Sequence, residues 1–253
     1  MPGHHLSKSH VAAWAVHGYT ALGAVLALAM AVFIVEGTPA AFRAAFLCML
    51  AATVVDATDG FLARKARVKE VLPGFDGRRL DDVIDFLTYA FLPLLLVWRA
   101  GALPEPSLVW LVPPLLAAAY GFSQVDAKTP DGYFLGFPSC WNAVAFYLYL
   151  LPWPGWAALL LVQGLAVLTF VPLKYLYPSQ GGRLNRWTNI LGALWAGLVA
   201  WLMWHLPTEQ MPHRLPASDH PLLGLGLISL AYPIFYLTAS WWFANRRNKN
   251  SSD

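Results

Sequence analysis

Eight apolar runs, most of them close to the length of a bilayer core, constrain this chain more than any other feature. They cover 11–35, 39–62, 80–100, 106–125, 137–152, 155–177, 184–205 and 221–243. A helix needs about 20 consecutive, mostly apolar residues to cross the hydrocarbon layer. Lipid leaves helices and closed barrels as the only spanning structures. The runs predict an all-α, polytopic integral membrane protein of about eight transmembrane helices, forming a single membrane-embedded domain over 1–253. The fifth run is the shortest, because "PWPG" at 152–155 cuts it off. Only 12% of the residues are charged, against roughly 25% in soluble domains. No internal repeat and no separate soluble tract is evident.

The opening residues "MPGHHLSKSH" lack a cleavage pattern, and the apolar run after them is too long for the core of a signal peptide. An uncleaved first helix is expected, with His4 and His5 in a solvated tail. Cys48 and Cys140 fall in or beside apolar runs without CxxC or Cys/His spacing, so free thiols are expected.

Charge placement orients the spans. Threading eight helices puts Lys8, Arg64, Lys65, Arg67, Lys69, Arg78, Arg79, Lys128, Lys174, Arg183, Arg186, Arg246, Arg247 and Lys249 on one side. Arg43, Arg99 and Arg214 fall toward the other, a bias of 14 to 3. Loops rich in Lys and Arg stay cytoplasmic, so both termini are expected in the cytoplasm. The basic residues flank apolar spans and form no soluble patch, which argues against nucleic-acid binding.

The acids are less evenly spread. Seven of the 14 lie between Asp56 and Asp85. Asp56 and Asp59 are spaced i,i+3 near the end of the second run and share one helix face. Gly77, Asp81 and Asp85 form a stripe at i,i+4 spacing entering the third. Two antiparallel helices joined by a short basic loop can aim four carboxylates into one volume. Asp81 and Asp82 could simply favour a helix N-terminus electrostatically, and Glu70 and Asp76 read as solvated loop residues. Asp56 and Asp59 fit no such explanation, since the C-terminal half of a helix disfavours anions. Carboxylates inside membrane helices are functional by default. Hard oxygen donors without a neighbouring thiolate or imidazole suit Mg²⁺ or Mn²⁺. Two such ions would neutralise a phosphoester undergoing transfer. The small residues Gly60, Ala63 and Gly77 would let a phosphate ligand approach the backbone, and Arg64 offers a fork for a phosphate or an aspartate.

"DATDGFLAR" and "GRRLDDVID" together resemble the signature of the CDP-alcohol phosphotransferases, DxxDGxxAR…GxxxDxxxD. Asp56, Asp59, Gly60, Ala63, Arg64, Gly77, Asp81 and Asp85 fill all eight fixed positions. Twelve residues separate Arg64 from Gly77, a longer loop than is common in the family. The resemblance implies that Asp56, Asp59, Asp81 and Asp85 ligate two divalent ions, Mn²⁺ or Mg²⁺. It gives Asp85 the further role of general base toward the attacking alcohol. It places Asp56, Gly60, Ala63, Arg64 and Gly77, with Thr20 from the first helix, around the cytidine diphosphate. Thr20 could equally bond its own helix backbone. The resemblance also implies a homodimer, and a site facing the cytoplasm from a bacterial cytoplasmic (inner) membrane.

The acceptor is less plainly written. "DGYFLGFPSCWNAVAFYLYL" brings Tyr133, Phe134, Phe137 and Trp141 close to Asn142 at the start of the fifth run. Aromatic faces attract quaternary ammonium groups, although Trp and Tyr also form the ordinary interfacial belt. "GFPSCWN", "AAWAVHGYTALGAVLAL" and the eight-run layout are similar to the bacterial branch that condenses CDP-diacylglycerol directly with choline. On that likeness Tyr133, Phe137, Trp141 and Asn142 are the expected choline-binding residues. The partners are then CDP-diacylglycerol, choline and the membrane lipids, and the products are phosphatidylcholine and CMP. Sister enzymes take serine, inositol or glycerol phosphate. Lys128, Lys174, Arg183 and Arg186 could serve an anionic acceptor or merely anchor the spans. A cation or proton transporter would place its acids near the midplane on repeated, broken helices, and neither feature is present.

Overall fold

The computed structural model describes residues 7–125, 129, 133–176, 183–212 and 221–250, with side chains assigned except at 183–185 and 243–250. Helix α1 (Lys8–Glu36) begins where Ser7 Oγ accepts from the backbone N–H of His10, and ends at Gly37, whose φ of +69° suits a residue without a Cβ. Helix α2 (Pro39–Lys65) follows at once. Thr38 caps it by accepting from the N–H of Ala41, and Pro39 supplies a first position that needs no N–H. Such tight chemistry at the turn makes α1 and α2 an antiparallel hairpin packed along most of its length. The short α3 (Val68–Val71) and the cap residue Asp76 then lead into α4 (Gly77–Asp85).

Helix α4 continues through a π-helical turn, Phe86–Phe91, into α5 (Leu92–Arg99). Pro93 accounts for the turn. It has no N–H for the carbonyl of Tyr89, and its ring crowds that carbonyl. The N–H of Leu92 correspondingly reaches back to Leu87, the wide spacing of a π turn. The remaining helices are α6 (Val112–Ser123), α7 (Trp141–Leu150), α8 (Gly155–Phe170), α9 (Arg183–Trp204), α10 (Pro221–Ser229) and α11 (Ala231–Asn250).

Each of the eight apolar runs is helical over most of its length. Lys8–Glu36, Pro39–Lys65, Arg186–Trp204 and Pro221–Trp242 are long and apolar enough to cross a membrane. The ten residues of α7 rise only about 15 Å, half a bilayer core. One short pair of strands stands among the helices. Strand β1 (Tyr133–Leu135) pairs antiparallel with β2 (Lys174–Leu176), Tyr133 opposite Leu176. The sixth run was expected to stay helical to 177, but α8 stops at Phe170. Pro172 disfavours helix at the residue before it, and Val171 is extended, with ψ 124°.

The apolar core lies toward one end of the α1–α2 hairpin. Met30, Ile34, Phe42, Phe46 and Met49 pack there with Leu96 of α5 and Phe146 and Tyr149 of α7. Phe46 meets the Tyr149 ring at 5.3 Å. Residues on the opposite face of α1, such as Val25, Leu28 and Val35, are exposed, as lipid-facing positions require. At the other end, the buried stripe of α1 turns polar and small, running through Gly23, Thr20 and His17. A Cβ on Gly23 would lie 2.5 Å from Ile84 Cγ2, so this glycine lets α4 approach α1 closely.

Candidate active site

The polar end of the hairpin gathers the motif acids. Asp56 from α2 and Asp81 and Asp85 from α4 are half-buried, and one carboxylate oxygen from each lies within 4.8 Å of the others. Ligands held at 2.0–2.1 Å from a Mg²⁺ stand up to about 4.2 Å apart. Three hard oxygens at this spacing therefore fit a small divalent cation after a slight contraction. Like charges this close repel one another unless a cation or a proton intervenes.

Asp59 adjoins this group and is buried, 7% exposed. Its Oδ2 accepts a 2.7 Å hydrogen bond from Thr20 Oγ1, and its charge acts on Asp81. Thr20 also lies 3.4 Å from the carbonyl of Val16. A hydroxyl has one proton, and the shorter contact marks Asp59 as its acceptor. The structure thus brings together all four motif aspartates, with Asp59 one step back from the closest three.

Around them, Arg64 is exposed, and its Nη1 would lie 3.5 Å from a Cβ placed on Gly60. The guanidinium therefore folds over Gly60. Ala63 is half-buried beside it. Gly77 is covered by His17, whose Cε1 would meet an added Cβ at 2.6 Å. Asp76 is the N-cap of α4, accepting from the N–H of Arg79, and it also pairs with the Arg79 side chain at 3.2 Å. Glu70 pairs with Arg67 at 3.6 Å, and Asp82 lies 3.9 Å from Arg78. These three acids belong to the exposed loop and helix start.

Sequence reasoning passed over two residues that the fold brings here. Tyr89 Oη donates a 2.7 Å hydrogen bond to Asp56 Oδ2. It continues the stripe of Gly77, Asp81 and Asp85 by four more residues, a signal that was available. His17 is 6% exposed, meets the Phe75 ring at a tilt with centroids 4.3 Å apart, and among the described residues has no hydrogen-bond partner at Nε2. Its signal was weaker, a lone imidazole three residues before Thr20.

The expected choline-binding residues lie on β1 and α7. Tyr133 is buried, and the Lys174 ammonium stands 5.5 Å from its ring centroid. Phe137 and Trp141 meet edge to face at 5.3 Å, and Trp141 is fully buried, without a partner for its Nε1 among the described residues. Asn142 Oδ1 accepts from the N–H of Ala143. Helix α7 packs against α5 and the π turn that follows Asp85. Lys128 and the Arg183 side chain lie outside the described residues, while Arg186 is exposed. Cys48 and Cys140 are free.

No protein-family model matches the chain. Curated relatives do. The chain is 37% identical over 235 residues to a phosphatidylcholine synthase of Pseudomonas aeruginosa, covering 91% of this chain and 94% of that protein. It is 40% identical over 188 residues to a phosphatidylcholine synthase of Bradyrhizobium diazoefficiens, 74% of this chain and 69% of that protein. One from Rhizobium meliloti is 33% identical over 228 residues, 89% of this chain and 93% of that protein. Alignments at this identity run through nearly the whole membrane region, well beyond the acidic motif. The chain belongs to the phosphatidylcholine synthase family.

Proposed function

We propose that this protein condenses CDP-diacylglycerol with choline in the cytoplasmic membrane of a bacterium, releasing phosphatidylcholine and CMP. The observation that carries the chemistry is the convergence of Asp56, Asp81 and Asp85 within 4.8 Å, with Asp59 behind them. These four carboxylates would hold Mn²⁺ or Mg²⁺, two ions in all. Such ions neutralise the charge of a pyrophosphate as its bridging bond breaks.

This chain's own residues do the rest. Asp85 takes the proton from the choline hydroxyl. The oxygen so released attacks the lipid-bearing β-phosphorus, the bond to the bridging oxygen breaks, and CMP leaves with that electron pair. The proton passes from Asp85 to water. Gly60, Ala63, Arg64 and Gly77, with Asp56, form the nucleotide wall, and Thr20 completes it while holding Asp59. By family likeness Tyr133, Phe137, Trp141 and Asn142 are the candidate choline residues. Phe137 and Trp141 are buried, and the Lys174 ammonium already stands over Tyr133, so choline would have to displace that cation to meet the ring face.

Eight spans with both termini in the cytoplasm fit the charge bias, and they open the site to cytosolic choline while the lipid donor enters from the bilayer. The domain is single and, by family likeness, the protein is a homodimer. An acceptor competition tests the assignment. Purified protein receives CDP-diacylglycerol and Mn²⁺ with choline, serine, inositol and glycerol phosphate together, and the lipid products are resolved by mass. Phosphatidylcholine is the expected product. A different single lipid would replace the acceptor and keep the chemistry, whereas no CMP release with any alcohol would remove both.

A further inference from the structure

We propose that Tyr89 is a positioning residue for the metal centre, holding the Asp56 carboxylate in one orientation through its 2.7 Å hydrogen bond. This rests on the metal-binding reading above. Rotation about the last bond of an aspartate is soft and broadly two-fold, so an unrestrained carboxylate wanders between orientations. One proton donated to Oδ2 fixes the plane and thereby the direction in which the other oxygen presents its lone pairs. A donor hydrogen-bonded to the ligating carboxylate tunes affinity at known metal sites.

Two details indicate that the placement is built into the fold. Asp85 and Tyr89 stand four positions apart and are joined through the π turn, and that turn arises because Pro93 lacks the N–H that would close on the Tyr89 carbonyl. Insertions of this type re-aim side chains at functional sites. On the facing helix, Thr53 stands one turn before Asp56 and donates its own proton to the carbonyl of Met49, which leaves the phenol to Asp56. Tyr89 is also a neutral donor. An arginine in its place would cancel the charge that attracts a cation, whereas a phenol orients the carboxylate and leaves that charge intact.

The test is Tyr89→Phe in the full-length protein, purified in detergent. Mn²⁺ binding without substrate is read from the loss of the free-ion paramagnetic resonance signal, and CMP release is then titrated with Mn²⁺. Losing an outer-shell partner weakens a metal site about 10–100-fold. The expected result is an Mn²⁺ Kd at least about tenfold higher, a parallel rise in half-saturating Mn²⁺, and a smaller change in kcat at saturating metal. Pro93→Ala keeps the phenol but lets the helix close, and its Kd should move in the same direction. A kcat loss at unchanged Mn²⁺ affinity, or an unchanged Kd in both variants, would overturn the assignment. Wild-type protein that takes up no Mn²⁺ would overturn the metal reading, and this inference with it.

Discussion

Thr20 and Asp59, 39 residues apart, meet across the α1–α2 interface through a 2.7 Å hydrogen bond from Oγ1 to Oδ2. Both are buried, so the bond joins the first helix to the acidic site where water cannot substitute. Thr20→Val keeps the shape and deletes the donor. Leaving a buried acceptor unpaired costs about 1–3 kcal/mol. The valine variant should lose that much stability in thermal unfolding and most of its turnover, and Thr20→Ser should recover both.

Close approach of α1 and α4 depends on Gly23. Its missing Cβ would fall 2.5 Å from Ile84 Cγ2, and Asp85 is the next residue. Gly23→Ala should push α4 away and lower stability by about 1–3 kcal/mol, the usual cost of overpacking. Activity should fall further than stability explains, because the displaced helix carries Asp81 and Asp85. Ile84→Ala opens the space, so the double variant should be more active than Gly23→Ala alone. Additive losses in CMP release would show that the two side chains do not meet.

Asp85→Asn preserves volume and removes the proton acceptor. Turnover should be lost, with the variant purifying and unfolding like the parent protein. Measurable phosphatidylcholine formation by the asparagine variant would take the general-base role away from Asp85.

These predictions rest on a site whose outline was legible in the sequence. Spacing of i,i+3 on α2 and i,i+4 on α4 put Asp56, Asp59, Asp81 and Asp85 on facing stripes, and a helix keeps such spacing whatever surrounds it. Three things were less visible. Pro93 announced a disturbance in the third run but not its form, so the placement of Tyr89 was missed. The β1–β2 pair joins three-residue strands about 40 residues apart, too short to show a period-two pattern. Aromatic residues at 133–142 invited a single reading as one wall, yet Phe137 and Trp141 are packed in the apolar core while Tyr133 joins a separate cluster with Leu176. Burial of this kind is decided by distant neighbours, which local sequence does not reveal.

Orientation is testable with single cysteines in a background lacking Cys48 and Cys140. Glu70 lies on the short α3 before α4, and Glu105 follows α5. A membrane-impermeant thiol reagent applied to intact spheroplasts should label Glu105→Cys and leave Glu70→Cys unmodified until the cells are broken. The reverse pattern would invert the topology and put the acids on the outer face.

The most direct measurement follows both products at once. Purified protein is stripped of metal, supplied with CDP-diacylglycerol and isotopically labelled choline, and assayed before and after Mn²⁺ is added. No reaction is expected in chelator, then CMP and labelled phosphatidylcholine in equal amounts on adding Mn²⁺, both abolished by Asp56→Asn. CMP without labelled lipid, or undiminished transfer in chelator, would contradict the proposed reaction.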